Sequence, residues 1–167
     1  LLLIDANSLI HRAFHALPPL TAKNGQPTGA RYGLAGALLK VLKEQKPDYV
    51  AAAFDRPEPT FRKEMFEGYK AHRPKAPDEL ISQIIEAHNL FNKFHINYFE
   101  KPGFEADDII GTFVKKFKKD PGRQIVILTG DLDTLQLVEG EKVVVQTPKK
   151  GVGATALYDE KAVMERY

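Results

Sequence analysis

The chain has 167 residues, enough for one compact domain at about 150 residues each, and its 43% apolar and 28% charged content excludes a disordered chain. It has no cysteine, which excludes a disulfide framework, a thiolate zinc site and a cysteine nucleophile, and no apolar run approaches the roughly 18–20 residues of a membrane span. Its 24 basic and 22 acidic residues leave a net charge of +2, a near-balance that by itself points to no partner.

Short apolar runs alternate with helix-period segments, which predicts βαβ units and an α/β fold with a mainly parallel sheet flanked by helices. Residues 1–4 read as the first strand. Asn7 or Ser8 is expected to cap a short helix reaching about residue 16, stopped by Pro18 and Pro19, with 20–27 as loop. Thr28 caps a longer helix to about residue 45, apolar at Leu34, Ala37, Leu38, Val41 and Leu42, and residues 49–54 form a second strand. Segment 56–76 has three prolines, six Lys/Arg, three Glu and no continuous apolar face, so it is expected to project from the core.

Pro77 and Asp78 open a helix to about residue 94, with Leu80, Ile84, Ala87 and Phe91 on one face. A third strand at 96–99, a helix over about 106–118 and a fourth strand at 125–128 follow. A short helix at 132–138, an extended stretch at 142–146 and a helix from Asp159 complete the chain. Its first residues, LLLID, lack a Met, and MERY stops inside a helix, so a fragment of a longer protein is expected; no signal peptide is visible, and the expected location is the cytoplasm.

The acids fall in a pattern on that map. Asp5 follows the first strand, Asp55 the second, Glu105, Asp107 and Asp108 the third, and Asp131 and Asp133 the fourth. A single Asp after a strand is ordinarily a turn former or helix cap. Four such placements at one sheet edge, where open α/β sheets bind ligands, point to one acidic cluster. Seven carboxylates so gathered repel one another, and an oxygen-only set suits Mg²⁺ or Mn²⁺. At helical spacing Glu105 and Asp108 share a face and Asp107 points elsewhere, so one cluster could serve two metal positions, the arrangement that drives phosphodiester hydrolysis.

LLLIDANSLIHRAFHALPPLT, PTGARYG, FDRPEPTFRKEMFEGYKAHRPKAPDEL, FEADDIIGTF and ILTGDLDTLQLV occur in order along essentially the whole chain. Together they resemble the 5′→3′ exonuclease domains of bacterial DNA polymerase I, within the flap endonuclease family. The resemblance implies a single PIN-like (resolvase-like) three-layer domain over 1–167 that acts on DNA with 5′ flaps, nicks or 5′ ends in replication and repair. It implies two divalent cations on Asp5, Asp55, Glu105, Asp107, Asp108, Asp131 and Asp133. Segment 56–76 matches the family's helical arch, with Tyr69, Lys70 and Arg73 acting close to the scissile phosphate and Arg62 within it.

Arg12 and Arg31 lie in motifs near the active edge and are expected to contact DNA. The resemblance further implies a monomer with no membrane contact, covalently linked to a polymerase region. Three departures stand out. Ala6 replaces a frequent Gly, Leu132 replaces a frequent cation, and the chain ends before the family's helix–three-turn–helix region.

Other readings stay open at this point. An incomplete lobe would bind DNA or metal without turnover, an aspartyl-phosphate phosphotransferase would use Asp5 as nucleophile, and a PIN-type ribonuclease would share the metal chemistry. Lys115, Lys116, Lys118, Lys119 and Arg123 suit either phosphate or the C-terminal dipole of their helix. His11 and His15 lie four apart without further zinc ligands, and Phe91, Phe94, Phe113 and Phe117 read as core. Setting aside the seven proposed ligands leaves 15 acids against 24 bases, a body of +9 around an acidic pocket. That distribution suits a polyanionic substrate approached through cations.

Overall fold

In the computed structural model, which describes residues 1–72, 74–149 and 155–167, the six strands β1 (Leu2–Asp5), β2 (Val50–Ala53), β3 (Asn97–Phe99), β4 (Ile125–Leu128), β5 (Val143–Pro148) and β6 (Thr155–Tyr158) form one sheet. Its order is β3-β2-β1-β4-β5-β6, parallel throughout except for β6. The chain runs outward from β1 through β2 to β3, then returns to place β4 on the other side of β1. The order therefore reverses between β1 and β4, and a crevice opens at the carboxyl ends of strands flanking such a reversal.

Both faces of the sheet are covered, which is why β1 and β4 read as unbroken apolar runs. Leu2 and Ile4 of β1, with Val126 and Leu128 of β4, pack on one side against α1 (Ala6–Ala16), α2 (Gly29–Gln45) and α4 (Asp78–Lys93). Leu3, Ile125 and Ile127 pack on the other side against Ile110 and Val114 of α5 (Ala106–Phe117). Each such side chain removed from water contributes about 1.5–3 kcal/mol, so the central strands are held from both sides. A short helix α3 (Phe61–Met65), a 3₁₀ turn (Leu132–Leu137) and α6 (Glu160–Arg166) complete the described elements. None of these helices is long and apolar enough to cross a membrane.

The expected α/β layering and mainly parallel sheet are borne out. Two helix starts differ from expectation in their chemistry. Asp5, rather than Asn7 or Ser8, caps α1, its Oδ1 accepting the Ser8 N–H at 3.0 Å. Thr28 does precede α2, but its hydroxyl donates to the Leu20 carbonyl, and the helix is capped from another element. Buried Gln83 of α4 reaches across, its Oε1 accepting the Ala30 N–H at 2.8 Å. Gln83→Leu is expected to cost about 1–3 kcal/mol, because it strands that buried N–H, and a chemical denaturation midpoint checks it.

The residue pattern places neither of two elements, although the resemblance implies a helical arch over 56–76. Within 56–76, α3 is only five residues long and buries none of them, so no amphipathic period announces it. At the sheet edge, β6 alternates exposed and half-buried residues over four positions, and its antiparallel pairing to β5 makes it a strand.

Candidate metal centre

The carboxyl ends of β1, β2, β3 and β4, the loops leaving them and the first turn of α5 bring Asp5, Asp55, Glu105, Asp107 and Asp131 into one open cavity of about 420 Å³. A second cavity of about 370 Å³ lies near Leu1, Tyr49 and Arg123, and its lining has a single acid, Asp48, among basic and neutral groups. The carboxylates decide between them.

Each acid is held differently. Asp5 ends β1 and is buried; its Oδ1 takes the Ser8 N–H at 3.0 Å and its Oδ2 the Thr129 hydroxyl at 2.7 Å. Burial nevertheless pushes its carboxyl up to about 6, aided by Asp55 and Asp131 and opposed by those two bonds. Asp55 accepts the Ala106 N–H at 2.7 Å, at the positive start of α5, while its own N–H donates to Asn7 Oδ1 at 3.2 Å. Asp131 caps the 3₁₀ turn through the Asp133 N–H at 3.0 Å.

Glu105 is buried and gathers the basic segment onto itself. Lys70 Nζ lies 2.8 Å from its Oε1, the Tyr69 hydroxyl donates to its Oε2 at 3.1 Å, and the Thr60 hydroxyl stands 3.5 Å away. Burial works against the charge on Lys70, but the contact with Glu105 outweighs it and raises the ammonium above its ordinary range. Asp107, by contrast, receives no hydrogen bond among the described residues. Burial, then Asp5, Asp131, Asp55 and Glu105, push its carboxyl up to about 7.

Asp108 and Asp133 do not line the cavity. Glu105 is the N-cap of α5 and is extended (φ −94°, ψ 163°), and a reciprocal capping box joins it to Asp108, with Arg62 Nη1 3.7 Å from Glu105 and 2.7 Å from Asp108. The cavity receives Glu105 and Asp107, while Asp108 turns to Arg62. Two Arg62 bonds of 2.7 Å hold the Asp108 carboxyl below its usual range, and its Oδ2 also accepts the Glu105 N–H at 2.9 Å. Asp133 is exposed on the 3₁₀ turn.

The basic residues divide as well. Arg62 is committed to Asp108, with its guanidinium 4.7 Å from the Phe61 ring. Arg12 runs beside Gly130 at the cavity rim, whereas Arg31 pairs with Glu86 of α4 at 3.2 Å, outside the lining. Arg73 lies outside the described residues. In the lysine-rich end of α5, Lys118 contacts Glu139, and Arg123 pairs with Asp120 at 2.8 Å while covering the Phe117 ring.

Asn7, Ser8, His11 and Thr129 complete the site without having been singled out for it. The short polar side chains of Asn7, Ser8 and Thr129, in DANS and TGD, carry the same signature as ordinary turn and cap residues, so their type alone could not mark them, and the spacing of His11 bears only on a zinc site.

Among the described residues, no group of three or more acids is drawn together tightly enough to hold an ion as placed. The donor set still fits a hard divalent cation. It is all oxygen, burial and then like charges drive Asp5 and Asp107 toward neutrality, and the chain's own Lys70 ammonium stands against Glu105.

The whole chain, residues 1–167, matches the family model described as 5′-3′ exonuclease, N-terminal resolvase-like domain. It is 45% identical over 168 residues to a DNA polymerase I of Caldicellulosiruptor bescii, covering 100% of this chain and 20% of that protein. It is 40% identical over 167 residues to the DNA polymerase I of Bacillus subtilis, covering 100% of this chain and 19% of that one. The chain thus spans about a fifth of the length of these relatives. The bacteriophage T5 D15 protein, crystallised with metal ions, superposes with a TM-score of 0.72 at 19% identity, covering 99% of this chain and 59% of that one. The T5 D15 flap endonuclease in a pseudo-enzyme-product complex with DNA and metal ions gives 0.72 at 16% identity, with the same coverage. Both likenesses are of fold.

Proposed function

The chain belongs to the family of 5′-3′ exonuclease N-terminal, resolvase-like domains, and from that premise we propose that it is the catalytic lobe of a structure-specific 5′ nuclease. Its substrate is DNA with 5′ flaps, nicks or 5′ ends, hydrolysed during replication and repair. The observation that carries this reading is the arrival of five acids, from the ends of four strands and the segments that follow them, in one cavity at the carboxyl edge of the sheet. The polymerase relatives support a place in a longer, polymerase-linked chain, and within this reading it acts as a cytoplasmic monomer.

Asp5, Asp55, Glu105, Asp107 and Asp131 would hold two divalent cations, Mg²⁺ or Mn²⁺, with Asp108 and Asp133 at their margin. When bound, such ions activate water and neutralise charge at the reacting phosphodiester. The chain's own side chains do the rest. Lys70, now on Glu105, exchanges that carboxylate for a phosphate oxygen, and Arg73, in the role the family resemblance implies, joins it there. Tyr69 stacks on an unpaired base, segment 56–76 arches over the 5′ strand, and Arg12, Arg31 and Arg62 bind phosphates further along. Releasing Arg62 and Lys70 from their acids is the step that frees the segment to receive DNA.

A second reading, a lobe that binds DNA or metal without turnover until more of the chain is present, is favoured by the loose spacing of the acids. An end-labelled 5′-flap duplex separates the two. Shortened labelled product that requires Mg²⁺ and disappears with EDTA is the expected result. Retarded mobility without product selects the second reading, and neither product nor binding overturns both.

A further inference from the structure

We infer that Thr129 is the positioning residue that presets Asp5 and Asp131 as a ligand pair, an inference that rests on the divalent-cation reading of the cavity. Thr129 follows β4 directly and is 0% exposed. Its one hydroxyl does two jobs. It donates to Asp5 Oδ2 at 2.7 Å and accepts the Asp131 N–H at 2.9 Å. A hydroxyl has one proton and two lone pairs, so both bonds form together, and the short contact to Asp5 takes the proton.

Ser8 extends the bridge. Its Oγ lies 3.3 Å from the Thr129 hydroxyl and accepts the Gly130 N–H at 2.7 Å, while its own N–H holds the other oxygen of Asp5. Both oxygens of Asp5 are therefore fixed, and the turn carrying Asp131 is tied to the start of α1. The fit is close: a Cβ on Gly130 would lie 2.8 Å from Ser8 Oγ, so only glycine lets the turn come so near. Left alone, two neighbouring carboxylates would swing apart toward water. The hydroxyl holds the Asp5 carboxylate and the Asp131 backbone in register before any cation arrives, and this kind of outer-shell partner is worth about 10- to 100-fold in metal affinity.

The test measures Mn²⁺ binding to the 167-residue chain by the electron paramagnetic resonance of the free ion, without reference to turnover. Thr129→Val keeps the shape but can neither donate nor accept, and should weaken Mn²⁺ binding by about 10- to 100-fold. Thr129→Ser restores the hydroxyl and should return affinity to within about threefold of wild type. Wild-type affinity in Thr129→Val, or a Ser variant as weak as Val, overturns the inference. Thermal unfolding of both variants separates lost binding from lost fold, and if Val does not fold, Thr129→Ala carries the same expectation. Asp5→Asn distinguishes the two levels. If wild type binds no better than Asp5→Asn, the cation reading falls and takes this inference with it; if Asp5→Asn loses Mn²⁺ while Thr129→Val keeps it, the role of Thr129 alone falls.

Discussion

Asp107→Ala is expected to lower Mg²⁺-dependent cleavage of a 5′ flap by about a hundred- to a thousandfold, while making the metal-free protein harder to unfold at pH 8. The two effects have one cause. Asp107 is half-buried, its carboxylate receives no hydrogen bond among the described residues, and it faces Asp5, Asp131, Asp55 and Glu105, so in the absence of a cation its charge is a burden. Its carboxyl stands at about 7 against an ordinary 3.8. Discounted for partial exposure, removing that charge should stabilise the metal-free fold by about 1–2 kcal/mol, or about 2–8 °C in melting temperature. Cleavage at undiminished rate would overturn the assignment of Asp107 to the metal centre. A lowered metal-free melting temperature would overturn the electrostatic account. Site residues that destabilise the unliganded fold are a familiar trade of stability for function.

In EDTA, the protein should lose stability as pH rises from 5 to 8, the reverse of the usual carboxylate behaviour. Asp5 and Asp107 both have folded values, about 6 and about 7, above their common unfolded value of 3.8. Between 3.8 and those values the folded state holds more protons than the unfolded chain, so the slope of unfolding free energy with pH is negative. Stability from this source is complete below the unfolded value and is lost as pH passes through about 6 and then about 7. Asp108 works the other way, because Arg62 depresses it and its contribution fades only in acid. Melting temperatures should therefore fall by about 4–8 °C over that range in EDTA, corresponding to about 2 kcal/mol. Saturating Mg²⁺ should flatten or invert the slope, since the cation binds the ionised acids. A slope unchanged by Mg²⁺ would place the ion elsewhere.

Much of the centre could be read from the sequence because strands leave a legible trace. The runs LLLI, YVAAAF and IVIL locate three carboxyl ends, and the acids that follow them, Asp5, Asp55 and Asp131, all reach the cavity. Spacing located the neighbours around α5 but not which of them faces the cavity. Glu105 and Asp108 are neighbours, as their spacing suggests, joined by a capping box and by Arg62, yet Asp107, expected to point elsewhere, lines the cavity and Asp108 does not. Partnerships across the fold left no trace at all. Gln83 capping α2, Arg62 gripping Asp108 and Thr129 bridging two acids join residues 46 to 124 positions apart, and no local pattern encodes such distances.

The bond from Thr129 to Asp5 spans 124 positions of chain, and this fixes when the centre can exist. During synthesis Asp5 and Asp55 emerge early, at the ends of the neighbouring strands β1 and β2. They meet Asp131 only after β4 has slotted in beside β1, a non-local pairing that comes late because a long loop must close first. A nascent or partly unfolded chain therefore has the acids but not the centre. Under the proposed function, hydrolytic competence would be tied to completed folding, and a half-made chain would carry no loose nuclease activity.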